Sequence, residues 1–261
     1  MPNIHPSAIV EDGAKIADDA TIGPFCYVQS DTSIGPGSVL KSHVSVYAHS
    51  SIGANAAIHA GAVIGDLPQD LEFDPDNIST VTIGDDCIIR EGVTIHRGTK
   101  HNTGTVIGNG CFLMGNSHVA HNCTLGDRVI FANGVLLGGY VAIGDGAFLS
   151  GNAMVHQFCK VGRLAMMSGL CAISKDLPPF FITHGVTGNL VSGINTIGLR
   201  RAGFSPQARS AVKNVFRRIY LGKLNLGDTL AELESEDLLP EAREVVDFIK
   251  TSERGICKYH G

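Results

Sequence analysis

An aliphatic residue recurs at every sixth position from Ile4 through Val10, Ile16, Ile22, Val28, Ile34, Leu40, Val46, Ile52 and Ile58 to Ile64. The spacing resumes at Ile83, Ile89 and Ile95 and runs again from Ile107 to Ile173, giving 26 apolar positions in one pattern. A helix spaces apolar residues three and four apart and a simple strand alternates every two, so neither yields a period of six. Short strands separated by turns do. Hexapeptide periods belong to parallel β-helices, in which three strands make one triangular coil of eighteen residues. A single hexapeptide cannot bury its aliphatic side chain alone; stacked on the same position one coil away, it joins a continuous internal ladder. With layers about 4.8 Å apart, nearly nine coils make a prism roughly 40 Å long. Gly35, Gly53, Gly84, Gly108, Gly126, Gly144 and Gly162 each follow a ladder residue directly, and are expected to serve the tight corners.

Two segments interrupt the pattern. One runs from Asp66 to Val81 and contains DLPQDLEFDPDN; the other, RGTKHNTGT, runs from Arg97 to Thr105 and keeps the six-residue phase, so it bulges without shifting the ladder. Rigid scaffolds carry their chemistry on loops, and both are expected to wall a binding cleft. Leu177 to Leu199, with Pro178, Pro179 and four glycines, reads as a loop and as a poor membrane span. From about Asn195 the hexads stop, and Val212, Val215, Phe216 and Ile219 take up helical spacing. The expected fold is all-β with an α-helical tail: a parallel β-helix over residues 1–194, with insertions near 66–81 and 97–105, and a helical domain over 195–261 that caps the prism.

Composition agrees with this picture. The 261 residues include 32 glycines, only 6% aromatics and no tryptophan, a mix poor in bulky packing units and unlike a helical bundle. Apolar residues at 44% against 17% charged exclude a disordered chain. The formal net charge of -5 offers no global attraction for nucleic acid or an anionic membrane, and neither is expected as a partner. Seven cysteines without a CxxC pair, behind a start (MPNIHPSAIVEDG) that lacks a basic region followed by an apolar one, point to reduced thiols and a cytoplasmic location. The tail is polarised. Arg200 to Lys223 holds seven basic residues and no acid, whereas Asp228 to Asp247 holds eight acids and one arginine. The basic stretch is either a solvated helix face or a dock for an acidic protein or a phosphate-bearing ligand.

The runs HRGTKH, GNSHVAHNC and MVHQFC bring His96, His101, His118, His121 and His156 close together in a chain with eleven histidines. An eighteen-residue coil puts His121, Gly139 and Gln157 in one column. A histidine near neutral pKa removes a hydroxyl proton, and a residue without a side chain lets its backbone amide approach a developing oxyanion. That is acyl-transfer geometry. Zinc is the other use of clustered histidines, but no CxxC or His-Glu-x-x-His signature accompanies them, and no Gly-x-Ser-x-Gly elbow supports an acyl-serine route. No metal and no cofactor are expected. A second column, Gly115, Asn133, Gly151 and Gly169, is either a groove for an extended chain or a line of corner turns.

Taken together, the hexads, PQDL, TIHRGT, HVAHNC, VHQFC, DLPPF, and GLRRAGFS followed by a helical tail resemble the bacterial UDP-N-acetylglucosamine O-acyltransferase family over the whole chain. The resemblance implies a left-handed parallel β-helix, a homotrimer with active sites between subunits, and the first committed step of lipid A synthesis. The acyl donor would be a 3-hydroxyacyl group on acyl carrier protein and the acceptor UDP-N-acetylglucosamine. It further implies His121 as general base and Gly139 as oxyanion amide. Gln69, Asp70, His118 and His156 would contact the sugar nucleotide or acyl group, Gln157 and Asn195 the nucleotide end, and Arg201 its phosphates, with His96 nearby. Gly169 occupies the acyl-length ruler position, and without a side chain it implies a longer hydroxyacyl chain.

Departures from the family pattern lie near this site: Glu72 for a lysine, Tyr140 for a histidine, Asn122 where many members have aspartate, and also Ile197 and Ala202. An asparagine still accepts a hydrogen bond from the imidazole but stabilises its protonated form less than a carboxylate does. Transfer to a 3-amino instead of a 3-hydroxy sugar nucleotide, a zinc-dependent hydratase of the hexapeptide superfamily, and an ice-binding β-helix are the rival readings. The last requires a flat face of repeated threonines, which the chain lacks.

Overall fold

The computed structural model describes residues 1–186 and 188–260 and forms a parallel β-helix of two- to four-residue strands. Strands fall in turn on three sheets, here numbered by the order in which the chain first enters them. Among the described residues the first has twelve strands, the second nine and the third eight. Register is kept along the ladder, with a bulge between Ile64 and Asp66 against Ile95 and His96. Asn109 and Asp127 on adjacent coils are 18 residues apart, while the two insertions lengthen their coils to 31 and 24 residues without displacing the ladder. Ile64 still pairs with Ile95, and Ile83 with Ile107. The excursions are shorter than the sequence pattern indicates, because strands Val63–Asp66, Thr80–Ile83, Thr94–His96 and Gly104–Ile107 claim their flanks.

The ladder residues from Ile22 to Ile173 are buried and form the core, with Phe131 fully enclosed. At the amino-terminal end of the stack Ile4 is exposed and Val10 and Ile16 are half-buried.

The glycines that follow ladder residues serve a purpose other than turn conformation. A Cβ on Gly108 would lie 2.5 Å from the Gly126 carbonyl carbon, and one on Gly144 would lie 2.5 Å from the Arg163 nitrogen. They are required because consecutive coils touch there. Left-handed backbone falls on other residues, among them Asn122 (φ 59°), Arg128 (φ 55°), Tyr140 (φ 60°) and Phe158 (φ 65°). Such φ values are uncommon for bulky side chains and persist because coils above and below fix them. At the corner joining the third sheet to the first, Asp85, Asn109, Asp127 and Asp145 each turn a side-chain oxygen onto a backbone N–H of the preceding coil at 2.7–3.0 Å.

The segment 177–199, expected as a loop, instead contains strands Phe181–Thr183 and Leu190–Ile194, which pair antiparallel in the first sheet. Helices α1 (Thr196–Arg201), α2 (Pro206–Leu221), α3 (Leu226–Glu234) and α4 (Pro240–Lys250) follow. Ser205 caps α2 by accepting from the Ala208 N–H, and Asn225 caps α3 in the same way. Val212, Val215 and Phe216 are buried, as their spacing predicts, and Ile219 is half-buried. Phe181 meets Phe216 edge to face at 5.1 Å, closing the carboxy-terminal end. Arg163 joins prism to tail through a forked pair with Glu244 (2.7 Å), and lies over the Phe180 and Phe204 rings. Buried Asp176 accepts from the Lys160 N–H and the Ser252 hydroxyl. Strand Lys258–Tyr259 then returns to pair with Leu190–Val191, so the tail ends as part of the first sheet.

Gly108→Ala is expected to cost about 1–3 kcal/mol, since overpacked sites shift backbone or force strained rotamers. Gly193→Ala, where a Cβ meets nothing within 4 Å, stays within about 0.5 kcal/mol of wild type. Denaturant midpoints of the two variants check this.

Candidate active site

His121 sits at the corner between the second and third sheets, held by strands His118–Val119 and Thr124–Leu125. One coil on, the Tyr140 N–H donates to the His121 carbonyl at 3.0 Å, which fixes Gly139 beside the imidazole. A Cβ on Gly139 would lie 2.5 Å from His121 Nε2 and 3.0 Å from Nδ1, so only glycine leaves the ring in place. Gly139 is buried. Its carbonyl accepts from the Phe158 N–H, and its own N–H donates to no group among the described residues. The next coil places Gln157, exposed, in the same column. The expected stack of 121, 139 and 157 is therefore present.

The tautomer of His121 follows from its neighbours. Asn122 Oδ1 accepts from the Thr99 backbone N–H at 3.0 Å, which identifies that atom as oxygen. The same oxygen lies 3.0 Å from His121 Nδ1, so Nδ1 carries the hydrogen and donates, leaving the Nε2 lone pair as the basic site. The Thr99 hydroxyl also donates to Asn122 Oδ1 and accepts from the Tyr140 hydroxyl at 2.9 Å. Tyr140 stands edge-on to His121 at 5.3 Å and stacks on Phe158 at 5.0 Å. Tyr140 and Thr99, neither a sequence candidate for the site, thus belong to its wall. Their only sequence signal was the departure at 140 and the insertion containing 99.

His118 and His96 complete the cluster. Their rings meet edge to face at 4.9 Å, and His118 Nδ1 lies 2.7 Å from the Thr94 hydroxyl. Burial, with smaller contributions from His96 and His121, pushes the His118 pKa down to about 4. Burial also lowers that of His96, against a smaller opposing effect of Asp66. Both are neutral at pH 7. The His96 Nδ1 is buried without a partner among the described residues. Among the described residues, no group of three or more His, Cys, Asp or Glu is arranged to hold a metal ion.

Other candidates are spread more widely. Gln69 and Asp70 are exposed on the first insertion, which leans on the second where Arg97 lies over Phe73 at 5.6 Å. His156 is exposed and shares Nδ1 with Arg254 Nη2 at 3.3 Å; Arg254 comes from the tail and carried no sequence signal. Beside Gly138, an apolar cavity of about 450 Å³ runs over Leu136, Met154 and Ala172 on the outer face of the second sheet. Gly169 lies in the predicted column with Gly115, Asn133 and Gly151, at the corner between the first and second sheets; the Leu170 N–H donates to the Gly151 carbonyl there. Asn195 caps α1 through the Gly198 N–H and donates to the Leu164 carbonyl, so both ends of its amide are engaged. Leu164 lies at the corner between the third and first sheets, and α1, which carries exposed Arg201, is followed by Ala202 against Arg128, Asp145 and Leu164 of that corner. Within one chain, then, Asn195, Arg201 and Gly169 lie on different edges from His121.

As pH falls from 6.5, the unfolded chain protonates its histidines before the native state protonates His118 and His96, so stability drops through the window from 6.5 to about 4. The shift at His118 corresponds to about 3 kcal/mol. Denaturant midpoints measured between pH 7 and 4.5 should fall less in His118→Gln than in wild type.

The description "Udp N-acetylglucosamine O-acyltransferase; Domain 2" matches residues 176–257, and "Bacterial transferase hexapeptide (six repeats)" matches residues 104–139. The chain is 41% identical over 257 residues to the acyl-(acyl-carrier-protein)–UDP-N-acetylglucosamine O-acyltransferase of Anaeromyxobacter dehalogenans strain 2CP-1, covering 98% of this chain and 99% of that protein. Its structure is similar to that of LpxA, a UDP-N-acetylglucosamine acyltransferase from Bacteroides fragilis, with a TM-score of 0.92, 41% identity and coverage of 97% and 98%. The Francisella novicida UDP-N-acetylglucosamine acyltransferase gives 0.93, 40% identity and coverage of 98% and 94%.

Proposed function

The chain belongs to the acyl-(acyl-carrier-protein)–UDP-N-acetylglucosamine O-acyltransferase family and is an acyltransferase of lipid A biosynthesis, and from that premise we propose how its residues carry the transfer. The acyl group passes from 3-hydroxyacyl-acyl carrier protein to the 3-hydroxyl of UDP-N-acetylglucosamine. His121 Nε2 takes the hydroxyl proton as the oxygen attacks the thioester carbonyl. The Gly139 N–H receives the oxyanion, and the proton then goes to the departing carrier thiolate. Asn122 Oδ1 holds the hydrogen on Nδ1 and supports the imidazolium as a neutral acceptor. The observation that carries this reading is one juxtaposition: a basic Nε2 against a residue that has no side chain and whose N–H donates to no group among the described residues.

The apolar cavity beside Gly138 suits the acyl chain, and the open column ending at Gly169 suits a long one. Arg201 offers a forked cation for the diphosphate. His118 and His156 border the reacting groups, and Gln69, Asp70 and Gln157 serve the sugar nucleotide. Because Arg201 and Gly169 lie on other edges of the prism than His121, a complete site requires a second copy, in keeping with a homotrimer whose sites lie between subunits. The first sheet offers an apolar outer face for such contacts, with Ile88, Phe112, Ile130, Phe148 and Met166 along it. Among the described residues no helix is long and apolar enough to cross a membrane. A cytoplasmic location fits a carrier-protein donor.

The tail's basic stretch is narrower than its sequence implies, since Arg218 is paired with Glu232 and Glu236. Lys213 and Arg217 remain exposed one turn apart on α2 and offer the acidic carrier protein a dock.

His121→Ala should lower kcat by about 10²–10⁴-fold with fold and oligomeric state unchanged; near-normal turnover would remove the mechanism. An assay offering both 3-hydroxy and 3-amino sugar nucleotides should yield ester as the main product by mass spectrometry. Arg217→Glu should raise the apparent KM for the acylated carrier protein and flatten its rise with salt, leaving that for the sugar nucleotide unaltered; equal effects on both would discard the dock.

A further inference from the structure

A carboxylate presents oxygen to a neighbouring imidazole whichever way it is turned. An asparagine does not. If Asn122 turned over, its Nδ2 would face His121 Nδ1 as a donor, the hydrogen would move to Nε2, and the basic site would point away from substrate. The chain therefore needs a device that selects one of two nearly isosteric amide orientations.

We infer that the second insertion, through Thr103 and the Thr99 backbone, sets the tautomer of His121 by fixing the orientation of the Asn122 amide. Two contacts act independently. The Thr99 N–H, at 3.0 Å, can pair only with oxygen, which selects Oδ1. On the other side, the Thr103 hydroxyl spends its hydrogen on the Lys100 carbonyl at 2.7 Å and so presents only lone pairs to Asn122. It already accepts from the Lys100 N–H at 3.2 Å, and the Asn122 Nδ2 donates to it at 3.0 Å. An oxygen turned toward Thr103 would face lone pairs; a nitrogen turned toward Thr99 would face an N–H. Reversing the amide thus breaks both contacts, and its donation to His121 Nδ1 only replaces the bond that Oδ1 now accepts.

The loop is built to hold these atoms still. Thr99 is buried, and its hydroxyl is tied to Tyr140 two coils on. A Cβ on Gly98 would fall 2.6 Å from Thr103 Oγ1, so the residue before Thr99 must be glycine for the loop to close. Thr103 and Thr99 are positioning residues: they act on His121 only through Asn122.

This inference rests on His121 being the base, and the two can fail separately. The tautomer is read in the holoprotein by ¹⁵N NMR of labelled histidine, independently of turnover. Wild type should show the hydrogen on Nδ1 of His121. In Thr103→Val the amide loses its acceptor, a population with the hydrogen on Nε2 should appear, and kcat should fall about 10–100-fold, the range seen where the analogous hydrogen-bond partner of a metal-bound histidine is removed. Thr103→Ser, which keeps the hydroxyl, should restore both. In the Asn122→Asp background, where either orientation supplies oxygen, Thr103→Val should cost less than about threefold. Equal losses in the two backgrounds, or an unchanged tautomer in folded Thr103→Val, would overturn the inference. Full turnover by His121→Ala would instead overturn the base assignment and leave the tautomer result standing.

Discussion

One coil hydrogen-bonded to the next fixes residue i beneath residue i+18, and every other feature of the molecule depends on that register. It makes the ladder of buried aliphatics continuous from Ile22 to Ile173. It brings coil backbones so close at the corner between the third and first sheets that only glycine fits at 108, 126 and 144. The same spacing sets Gly139 against the His121 ring. The juxtaposition proposed as catalytic is thus a consequence of the repeat, so its accuracy is that of the strand pairing itself.

The register also determines the electrostatics around His121. His118 projects outward from the second sheet, and His96 lies beside it one coil earlier, both largely withdrawn from water. Burial holds them neutral, so a proton taken up at 121 forms the single imidazolium of the trio at neutral pH. Were His118 charged, it would repel that imidazolium at short range. Desolvation of two histidines thus favours the proposed protonation of the third.

Much of this was legible in the sequence because a six-residue period leaves little freedom: strand positions, coil length and the column of His121 and Gly139 all follow from counting. What counting missed has identifiable causes. The segment 177–199 reads as a loop because Pro178, Pro179 and four glycines mask two short strands whose pairing is antiparallel and outside the hexad phase. The corner glycines were expected to supply turn conformation, yet they answer to contact between coils, and residues such as Asn122 and Tyr140 take the left-handed backbone instead. Arg254 gave no signal because its place beside His156 depends on the return of the tail to the prism. The role of an insertion in orienting a side chain on another coil is a tertiary fact, and nothing in the local pattern of RGTKHNTGT encodes it.

Asn122, read singly, is a departure that weakens support for the proposed base, and Tyr140 is a departure beside it. In three dimensions they are connected. The Tyr140 hydroxyl donates to Thr99, Thr99 donates twice to Asn122 Oδ1, and that oxygen accepts from His121. A neutral acceptor supports the imidazolium less than a carboxylate, but it avoids placing a partly buried charge beside His118 and His96, which burial holds neutral. In exchange, the amide must be oriented, which a carboxylate does not require. The second insertion meets that requirement without disturbing the ladder because it leaves the coil after Arg97 and rejoins it in phase at Gly104. Register and orientation are thus supplied by separate parts of the chain: the repeat places the ring, and the loop decides which of its nitrogens is basic.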